Sequence, residues 1–517
     1  MIEEIREVVE GILRSSFGVE GLSFDVLIAP DFTECDYATN AAVKLPGPDK
    51  KILAERLAEK LKSSGYFESV SIRMPFVNMK LAEAFLKEKF VELVFSREKN
   101  VLKKQEGKIL IEFVSANPTG LLHIGHARGG VIGDSLARIL RYLGYDVFTQ
   151  FYVNDRGKQI DLLAQSVIAA KDGREAPEGG YSGEFISRLA SEIKAGDTED
   201  EIEKKAVSKT LDEIKEDLKK LNIEFDSFFY ETSLYDEAVS EVMEKLKKKD
   251  AVFEKDKAVW LKVADVDDKD RVLIRSDGDP TYFLSDIAYH NEKFKKASLC
   301  INVWGADHHG YVGRLKSAVA ALGYRPEKLE VILCQLVRIK RGNEILKMSK
   351  RAGNFLLAKD VINEVGADAV RFFLLSRKGS AQLDFDLELA KKQSKENPVY
   401  YIQYAHARIC SILRKAEEAG ISAIGSVDLL GGESLVIMKK VCEFGDTIKL
   451  SASERTPHHI ITYLLDLCVA FHGFYDRNRV IVSDRKLSGQ MLTLIGGIKK
   501  TISKGLYLLG ISAPERM

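Results

Sequence analysis

Long apolar runs are missing from this chain. No stretch approaches 18 uninterrupted apolar residues, and the nearest candidates, residues 463–474 and 506–511, are short and broken by Asp, His or Gly. A membrane span is therefore not expected. Cysteine is scarce, six in 517 residues (Cys35, Cys300, Cys334, Cys410, Cys442 and Cys468), and no two form a Cys-x-x-Cys pair. That spacing argues against a zinc ribbon or a disulfide framework and for reduced thiols in a cytoplasmic protein. Proline is sparse, 11 residues beside 38 Gly, which excludes collagen-like and Pro-rich disordered chains. A charge excess of either sign is absent too: 77 Lys and Arg balance 77 Asp and Glu, so a polyanion would have to be held by a local basic patch. The first 17 residues carry acids at helical spacing, unlike the basic-then-apolar order of a secretory signal, so no export is expected.

What is present is ordinary globular composition, 45% apolar and 30% charged, at a length that suits three or four domains of roughly 100 to 200 residues. No repeat of solenoid period occurs. Residues 1–85 combine an amphipathic opening helix, strand-like runs at 22–29 and 69–74 and a helix near 54–63, which predicts a small α/β domain. Residues 86–108 read as a charged linker. From 109 to 385 strand-like and helical stretches alternate, beginning with strand 109–114, a turn and a helix over 126–143, and returning at 258–263, 271–274, 298–303 and 329–333. This is a doubly wound α/β domain. Its heavily charged block 161–249 reads as a helical insertion with no assigned chemistry. Residues 386–517 show helical periodicity only, and 391–517 carry 18 Lys and Arg against 12 Asp and Glu, a tilt that permits a nucleic-acid face.

Two segments carry chemistry. Asn117-Pro-Thr-Gly-Leu-Leu-His-Ile-Gly-His126 sets His123 and His126 at the first turn of a helix that follows a strand. Helix N-termini attract anions, and two imidazoles there can donate to phosphate oxygens as charge develops. Gly120 and Gly125 would let a nucleotide lie close to the backbone. The second segment, Ile345-Leu-Lys-Met-Ser-Lys-Arg351, offers Lys347 and Lys350 with Met348 and Ser349 between them, a loop suited to neutralising a leaving pyrophosphate. An isolated His-x-x-His is more often a cap pair, and a loop lysine pair is usually only solvated.

In this order and about 220 residues apart, the two segments resemble the paired signatures of class I aminoacyl-tRNA synthetases. The stretches Asp36-Tyr-Ala-Thr-Asn40, Glu112-Phe-Val-Ser-Ala-Asn117, Gly144-Tyr-Asp-Val, Tyr152-Val-Asn-Asp155, Trp304-Gly-Ala-Asp-His-His-Gly310, Gly366-Ala-Asp-Ala-Val-Arg371, Tyr401-Ile-Gln-Tyr-Ala-His-Ala-Arg408 and Ala513-Pro-Glu-Arg-Met517 narrow the resemblance to the bacterial-type arginyl-tRNA synthetases, over essentially the whole chain. The resemblance implies a Rossmann-type parallel-sheet catalytic domain with a small N-terminal α/β domain that touches the outer corner of tRNA and an all-helical C-terminal anticodon-binding domain. It implies activation of L-arginine by ATP and transfer to tRNA(Arg), by a cytoplasmic, monomeric enzyme with no membrane contact and no zinc, Mg²⁺ entering with ATP. His123, Gly125, His126, Lys347 and Lys350 carry over to ATP, and Leu336 and Val337 to the adenine. Glu112, Asn117, Tyr282 and Asp286 carry over to arginine, Asp307 to that pocket or the ribose, and Tyr401 to the anticodon with Met517 beside it. Two other readings stand beside this one: a small nucleotidyltransferase, which would not need the helical C-terminal block, and a catalytically inactive RNA-binding paralogue, which would not need both signatures intact.

Overall fold

The computed structural model describes every residue except 30–33, 97–103, 195, 236, 263–270, 343 and 347–355. Helix α1 (Ile2–Phe17) buries Ile5, Val9 and Leu13 along one stripe and stops where Gly18 takes φ 63°, a left-handed conformation with little cost for glycine. Strands β1 (Val26–Ile28) and β2 (Tyr37–Thr39), helices α2 (Ala41–Lys44) and α3 (Lys50–Lys62), and strands β3 (Phe67–Arg73) and β4 (Phe76–Leu81) follow. They form an antiparallel sheet of order β1-β2-β4-β3 packed on α1 and α3. After it comes α4 (Glu83–Phe95).

The central unit contains β5 (Lys108–Glu112), α5 (Ile124–Tyr142), β6 (Asp146–Val153), α6 (Lys158–Lys171), α7 (Glu184–Ser191), α8 (Glu199–Lys220) and β7 (Ser227–Tyr230). It continues through α9 (Ala238–Lys248), β8 (Val252–Lys255), β9 (Ala258–Leu261), β10 (Arg271–Ile274), α10 (Tyr282–Lys296), β11 (Leu299–Gly305), α11 (His309–Ala321) and β12 (Leu329–Cys334). Five of these strands pair in parallel in the order β12-β11-β5-β6-β7, so the winding reverses at β5. The crevice beyond the carboxyl ends of β5 and its neighbours is the topological switch point where open α/β sheets take ligands.

Two expectations need correction. The block 161–249 is not simply a helical insertion: it contains β7, an edge strand of the main sheet, and α8 crosses to it while burying Val207, Leu211, Ile214 and Leu218 in the main core. Only α6, α7 and the start of α8 form a satellite cluster, around Leu163, Val167, Ile186 and Ile202. Four strand residues behind a long charged helix leave too little period-2 alternation to register. The strand-like runs 258–263 and 271–274 do not join the parallel sheet either; β9 pairs antiparallel with both β8 and β10 in a separate sheet.

Strands β13 (Val337–Arg341) and β14 (Glu344–Ile345), helices α12 (Ala358–Val365) and α13 (Ala367–Leu375), strand β15 (Leu383–Asp386) and α14 (Leu387–Lys391) lead to the helical end of the chain. There α15 (Pro398–Glu418), α16 (Glu433–Ser453), α17 (His458–Arg477) and α18 (Arg485–Leu508) bundle together. Residues 86–95, expected in a linker, belong to α4, which packs on α16 and α18. The crossing with α18 needs glycine: a Cβ on Gly497 would fall 2.8 Å from Phe90 Cζ. The N-terminal sheet is further tied to the bundle by Tyr37, whose hydroxyl donates to Glu443 at 2.8 Å, and by Lys439, which pairs with Asp36 at 2.6 Å.

Candidate active site

The first signature is built by the switch point itself. After Glu112 the chain turns sharply, with Val114 at φ 66° and Ser115 at φ 40°. Two consecutive non-glycine residues in the left-handed region, one β-branched, are strained backbone of the kind that gathers at functional sites. The turn is held because Ser115 Oγ donates to Glu112 Oε1 at 2.9 Å and accepts from the Tyr152 N–H at 3.1 Å. Helix α5 then begins at His123, an unusual N-cap whose Nδ1 accepts from the N–H groups of Gly125 and His126 at 3.1 and 3.3 Å. His126 Nδ1 accepts in return from the His123 N–H at 3.4 Å, and the two rings stack with centroids 3.6 Å apart. With each Nδ1 an acceptor, the proton of each neutral ring sits on Nε2.

The glycine between them has a local cause: a Cβ on Gly125 would lie 3.0 Å from His123 Cε1. A Cβ on Gly120 would meet nothing within 4 Å, so Gly120 leaves open space in the turn. The chain beyond the second signature returns to the first, where Leu357 bridges to His123 and the Ala358 N–H donates to the Leu122 carbonyl at 2.7 Å. Lys347, Met348, Ser349 and Lys350 themselves lie outside the described residues. Val337 is buried at the start of β13, whereas Leu336 just before it is 76% exposed.

On the other side of β5 lies a pocket of carboxylates and phenols. Asp286 is on α10, half-buried, and accepts from the Tyr311 hydroxyl. Burial, with the nearby charges of Glu112 and Glu231, pushes its carboxyl up to about 7. Glu231 sits in the short turn that follows β7, only 3% exposed; burial raises its carboxyl, opposed by a hydrogen bond from Tyr152 and the charge of Arg156. Glu112 is buried and accepts from Lys293, a fully buried lysine of α10. Lys293 also donates to Asn302 Oδ1 at 2.7 Å, and Asn302 donates to His290 Nε2 at 2.9 Å. Burial holds that imidazole well below its ordinary value, and its Nδ1 donates to the Asp286 carbonyl at 2.8 Å.

Asn302, Glu112 and Gln150 stand in register on β11, β5 and β6, a polar row across the middle of a parallel sheet where apolar residues are the rule. The rim is formed by Asn117, whose amide donates to Gln159 at 2.7 Å, and by Tyr282, whose hydroxyl lies 3.3 Å from where a Cβ on Gly157 would be. Asp286 therefore stands within electrostatic reach of Glu112, and Asn117 and Tyr282 stand beside Gln159 and Gly157 at the start of α6. Asp307 does not join them: its side chain is 84% exposed beyond β11, with His308 Nε2 3.8 Å away. Glu231, Tyr311, Lys293 and Asn302 are members that sequence reasoning did not name, and Tyr152 entered it only as part of the resemblance. For Glu231 the available signal was an acid directly after the aromatic run Phe228-Phe-Tyr, at a strand's carboxyl end. Among the described residues no group of three His, Cys, Asp or Glu is arranged to hold a metal ion.

A second opening, a cleft of about 810 Å³, lies between α15, α17 and the chain end. Five cations (Arg408, Arg414, Lys415, Arg479 and Arg516) and two carboxylates (Asp476 and Glu515) line it, with Tyr404, Tyr475 and Met517. Arg408 lies over both tyrosine rings at 4.9 Å and donates to the Tyr404 hydroxyl at 2.9 Å. The chain end is fastened by His406 Nδ1 to the Pro514 carbonyl at 2.9 Å and by Gln403 Nε2 to the Ser512 carbonyl at 3.0 Å. Tyr401, the tyrosine expected to face RNA, does not line this cleft; it is half-buried with its ring 4.7 Å from His472. Tyr404, one turn on, occupies that place.

Three family models match successive parts of the chain. The arginyl tRNA synthetase N terminal domain covers residues 3–81, the class I (R) tRNA synthetase catalytic domain 90–378, and the DALR anticodon binding domain 402–517. The chain is 41% identical to the arginine–tRNA ligase of Nitratidesulfovibrio vulgaris strain Hildenborough, with 93% of each protein covered. It is also 41% identical to that of Caldanaerobacter subterraneus, over 100% of this chain and 98% of the other. In fold it is similar to Thermus thermophilus arginyl-tRNA synthetase, with a TM-score of 0.81 over 100% of both chains at 23% identity.

Proposed function

This chain belongs to the arginyl-tRNA synthetase family, and from that premise we propose how its residues divide the work of an arginine–tRNA ligase. The activity itself is activation of L-arginine by ATP, followed by transfer of arginine to tRNA. The observation that carries the residue assignment is the pocket of Glu112, Glu231 and Asp286 beside the histidine-capped start of α5. A guanidinium is a planar cation with five donors, and buried carboxylates and phenol oxygens are the acceptors it needs. In this reading Asp286 and Glu231 meet the guanidinium, Tyr282 closes over it, and Glu112 and Asn117 hold the α-ammonium. Asp307, set apart from the pocket, is assigned to the ribose. A side chain without those donors would leave buried acceptors unpaired, so no editing site is needed.

Arginine held there presents its α-carboxylate toward α5. The carboxylate oxygen attacks the α-phosphorus, the bond to the bridging oxygen breaks, and pyrophosphate leaves. His123 and His126 donate from Nε2 to the phosphate oxygens, and Lys347 and Lys350 take up charge on the leaving group; that lysine assignment is supported by the signature they form. Adenine lies by Leu336 and Val337, Gly120 and Gly125 line the nucleotide's path, and Met348 and Ser349 complete the loop. In the second step a hydroxyl of the terminal adenosine attacks the arginyl carbonyl and AMP leaves. Mg²⁺ enters with the triphosphate and takes its ligands from phosphate and water.

The basic, tyrosine-lined cleft suits an unpaired anticodon base stacked on Tyr404 or Tyr475, with Met517 at its wall and Tyr401 supporting the helix from behind. We read the enzyme as a cytoplasmic monomer, which six cysteines outside any disulfide suit. Among the described residues no helix is long and apolar enough to cross a membrane. The test offers each of the twenty amino acids in turn for charging onto bulk tRNA. Arginine alone should be attached; attachment of any other, or of none, would overturn the assignment of the pocket.

A further inference from the structure

Helix α5 holds a charge that neither signature explains. Arg128, two residues past His126, is 0% exposed, and among the described residues its fork hydrogen-bonds only to backbone carbonyls. Nη1 donates to the Gln335 carbonyl at 2.7 Å and Nη2 to the Lys378 carbonyl at 3.0 Å, while Nε has no partner among the described residues. A buried cation without a carboxylate is expensive, and an apolar side chain would fill the same space at less cost. The residue is therefore explained by what it holds.

What it holds is the root of the nucleotide subsite. Gln335 joins the end of β12 to Leu336 and Val337. Its own N–H donates to the Gly379 carbonyl at 2.9 Å, so residues 335 and 378–379 form one bonded pair of backbones. Gly379 in turn lies against α5, where a Cβ on it would stand 3.5 Å from Ile132 Cδ1 and 3.6 Å from Cys334 Sγ. The far end of the same excursion is pinned to α5 by the Leu357–His123 bridge and the Ala358–Leu122 hydrogen bond. Both flanks of residues 336–356 are thus referred to the first turns of the helix that carries His123 and His126.

We propose that Arg128 is a positioning residue for ATP: by holding the Gln335 and Lys378 carbonyls together it sets the spacing between the Leu336–Val337 backbone and the start of α5, the gap that adenine fills. This rests on the reading above that adenine lies by Leu336 and Val337. Arg128 touches neither substrate. A planar fork reaches two carbonyls at once, whereas an ammonium on a flexible stem holds one, so charge alone does not replace it.

The experiment measures arginine-dependent exchange of labelled pyrophosphate into ATP, with tRNA present, for the full chain and for Arg128→Lys, Arg128→Met and Leu336→Ala, beside their melting curves. Arg128→Lys should raise KM for ATP about tenfold, the size of one lost charge-assisted hydrogen bond, with KM for arginine changed less than about twofold. Its preference for ATP over GTP should fall, because a loosened gap reads the base less strictly. Arg128→Met should do both more strongly. Equal changes in the two KM values, no change in either, or loss of a cooperative melt in both Arg128 variants would make Arg128 a structural residue and overturn the proposal. Leu336→Ala separates the premise from the inference. An unchanged KM for ATP there would overturn the placement of adenine and the inference with it, while a raised KM there with a silent Arg128→Lys would sink the inference alone.

Discussion

The carboxylate pocket at the sheet edge and the arginine-lined cleft of the helical bundle use the same aromatic partner, tyrosine, with opposite charge and opposite exposure. In the pocket, Glu112 and Glu231 are buried, and four phenols (Tyr152, Tyr235, Tyr289 and Tyr311) and one lysine, Lys293, serve them and Asp286. In the cleft, Arg408 lies half-buried over two rings, among four further cations. Buried charge is costly until its counter-ion arrives, so the pocket is incomplete without a cation and discriminates strongly. Exposed charge is screened, so the cleft binds a polyanion through released counter-ions and stacking, with less effect per residue and more dependence on salt.

The largest effect should come from neutralising the pocket. Asp286→Asn and Glu231→Gln should each lower kcat/KM for arginine by about 2 to 5 kcal/mol, the range for leaving one buried partner of a charge pair uncompensated. KM for ATP and for tRNA should move far less. Steady-state exchange and charging kinetics with each substrate varied provide the measurement, and parallel losses for all three substrates would show that the carboxylates merely hold the fold. Next in size is Lys350→Ala, which should slow adenylate formation by about 2 to 4 kcal/mol while changing ATP binding little, since its contact forms as pyrophosphate departs. A kcat equal to the parent's would remove Lys350 from the site.

The pocket and the cleft also differ in how far they were legible in the sequence. His123 and His126 could be placed because they lie in a short local pattern at a helix start, whereas Glu112 and Asp286 were expected in the pocket only through the resemblance, each lying in a short matched segment. Glu231 could not, because its membership depends on β7 pairing beside β6, and that strand is four residues long. Lys293 is one of three lysines in Lys293-Phe-Lys-Lys, and only the packing of α10 over the sheet decides that it alone is fully buried. The doubly wound sheet was expected from alternation of elements, while the separate three-stranded sheet was not, since β-propensity does not state a strand's partner. In the cleft, Tyr401 and Tyr404 are one turn apart on α15, about 60° around its axis, too close for periodicity to choose between them.

That pair gives the next contrast. Tyr404→Ala should raise KM for tRNA by about 1 to 3 kcal/mol, the worth of one stacked base, and leave KM for arginine near its starting value. Arg408→Ala should weaken tRNA binding and flatten its dependence on salt. Tyr401→Ala should instead lower the melting temperature, through lost packing on His472, with a smaller effect on tRNA. Filter binding of tRNA at several salt concentrations checks all three. A larger tRNA defect for Tyr401→Ala than for Tyr404→Ala would reverse the assignment.

The last contrast, about tenfold per pH unit below pH 7, belongs to the titration of Asp286. Its carboxyl is pushed up to about 7 in the free enzyme by burial and by the charges of Glu112 and Glu231, with the Tyr311 hydrogen bond and Lys293 opposing. Arginine needs the ionised form, and kcat/KM reports the free enzyme, so kcat/KM for arginine should climb as pH rises toward 7 and level off above it. Stability should move the other way. A carboxyl raised above its ordinary 3.8 holds its proton more tightly folded than unfolded, so stability falls as pH rises through the window from about 4 to 7. The pocket is thus least stable where it is most competent, and arginine itself supplies the missing cation. Asp286→Asn should flatten both profiles: its low kcat/KM should lose the rise toward pH 7, and its melting temperature should exceed the parent's at pH 8 in the absence of arginine. Paired melts and kinetics from pH 5 to 8 check this. A parent profile already level at pH 5 would mean that Asp286 is ionised throughout and would overturn its raised carboxyl.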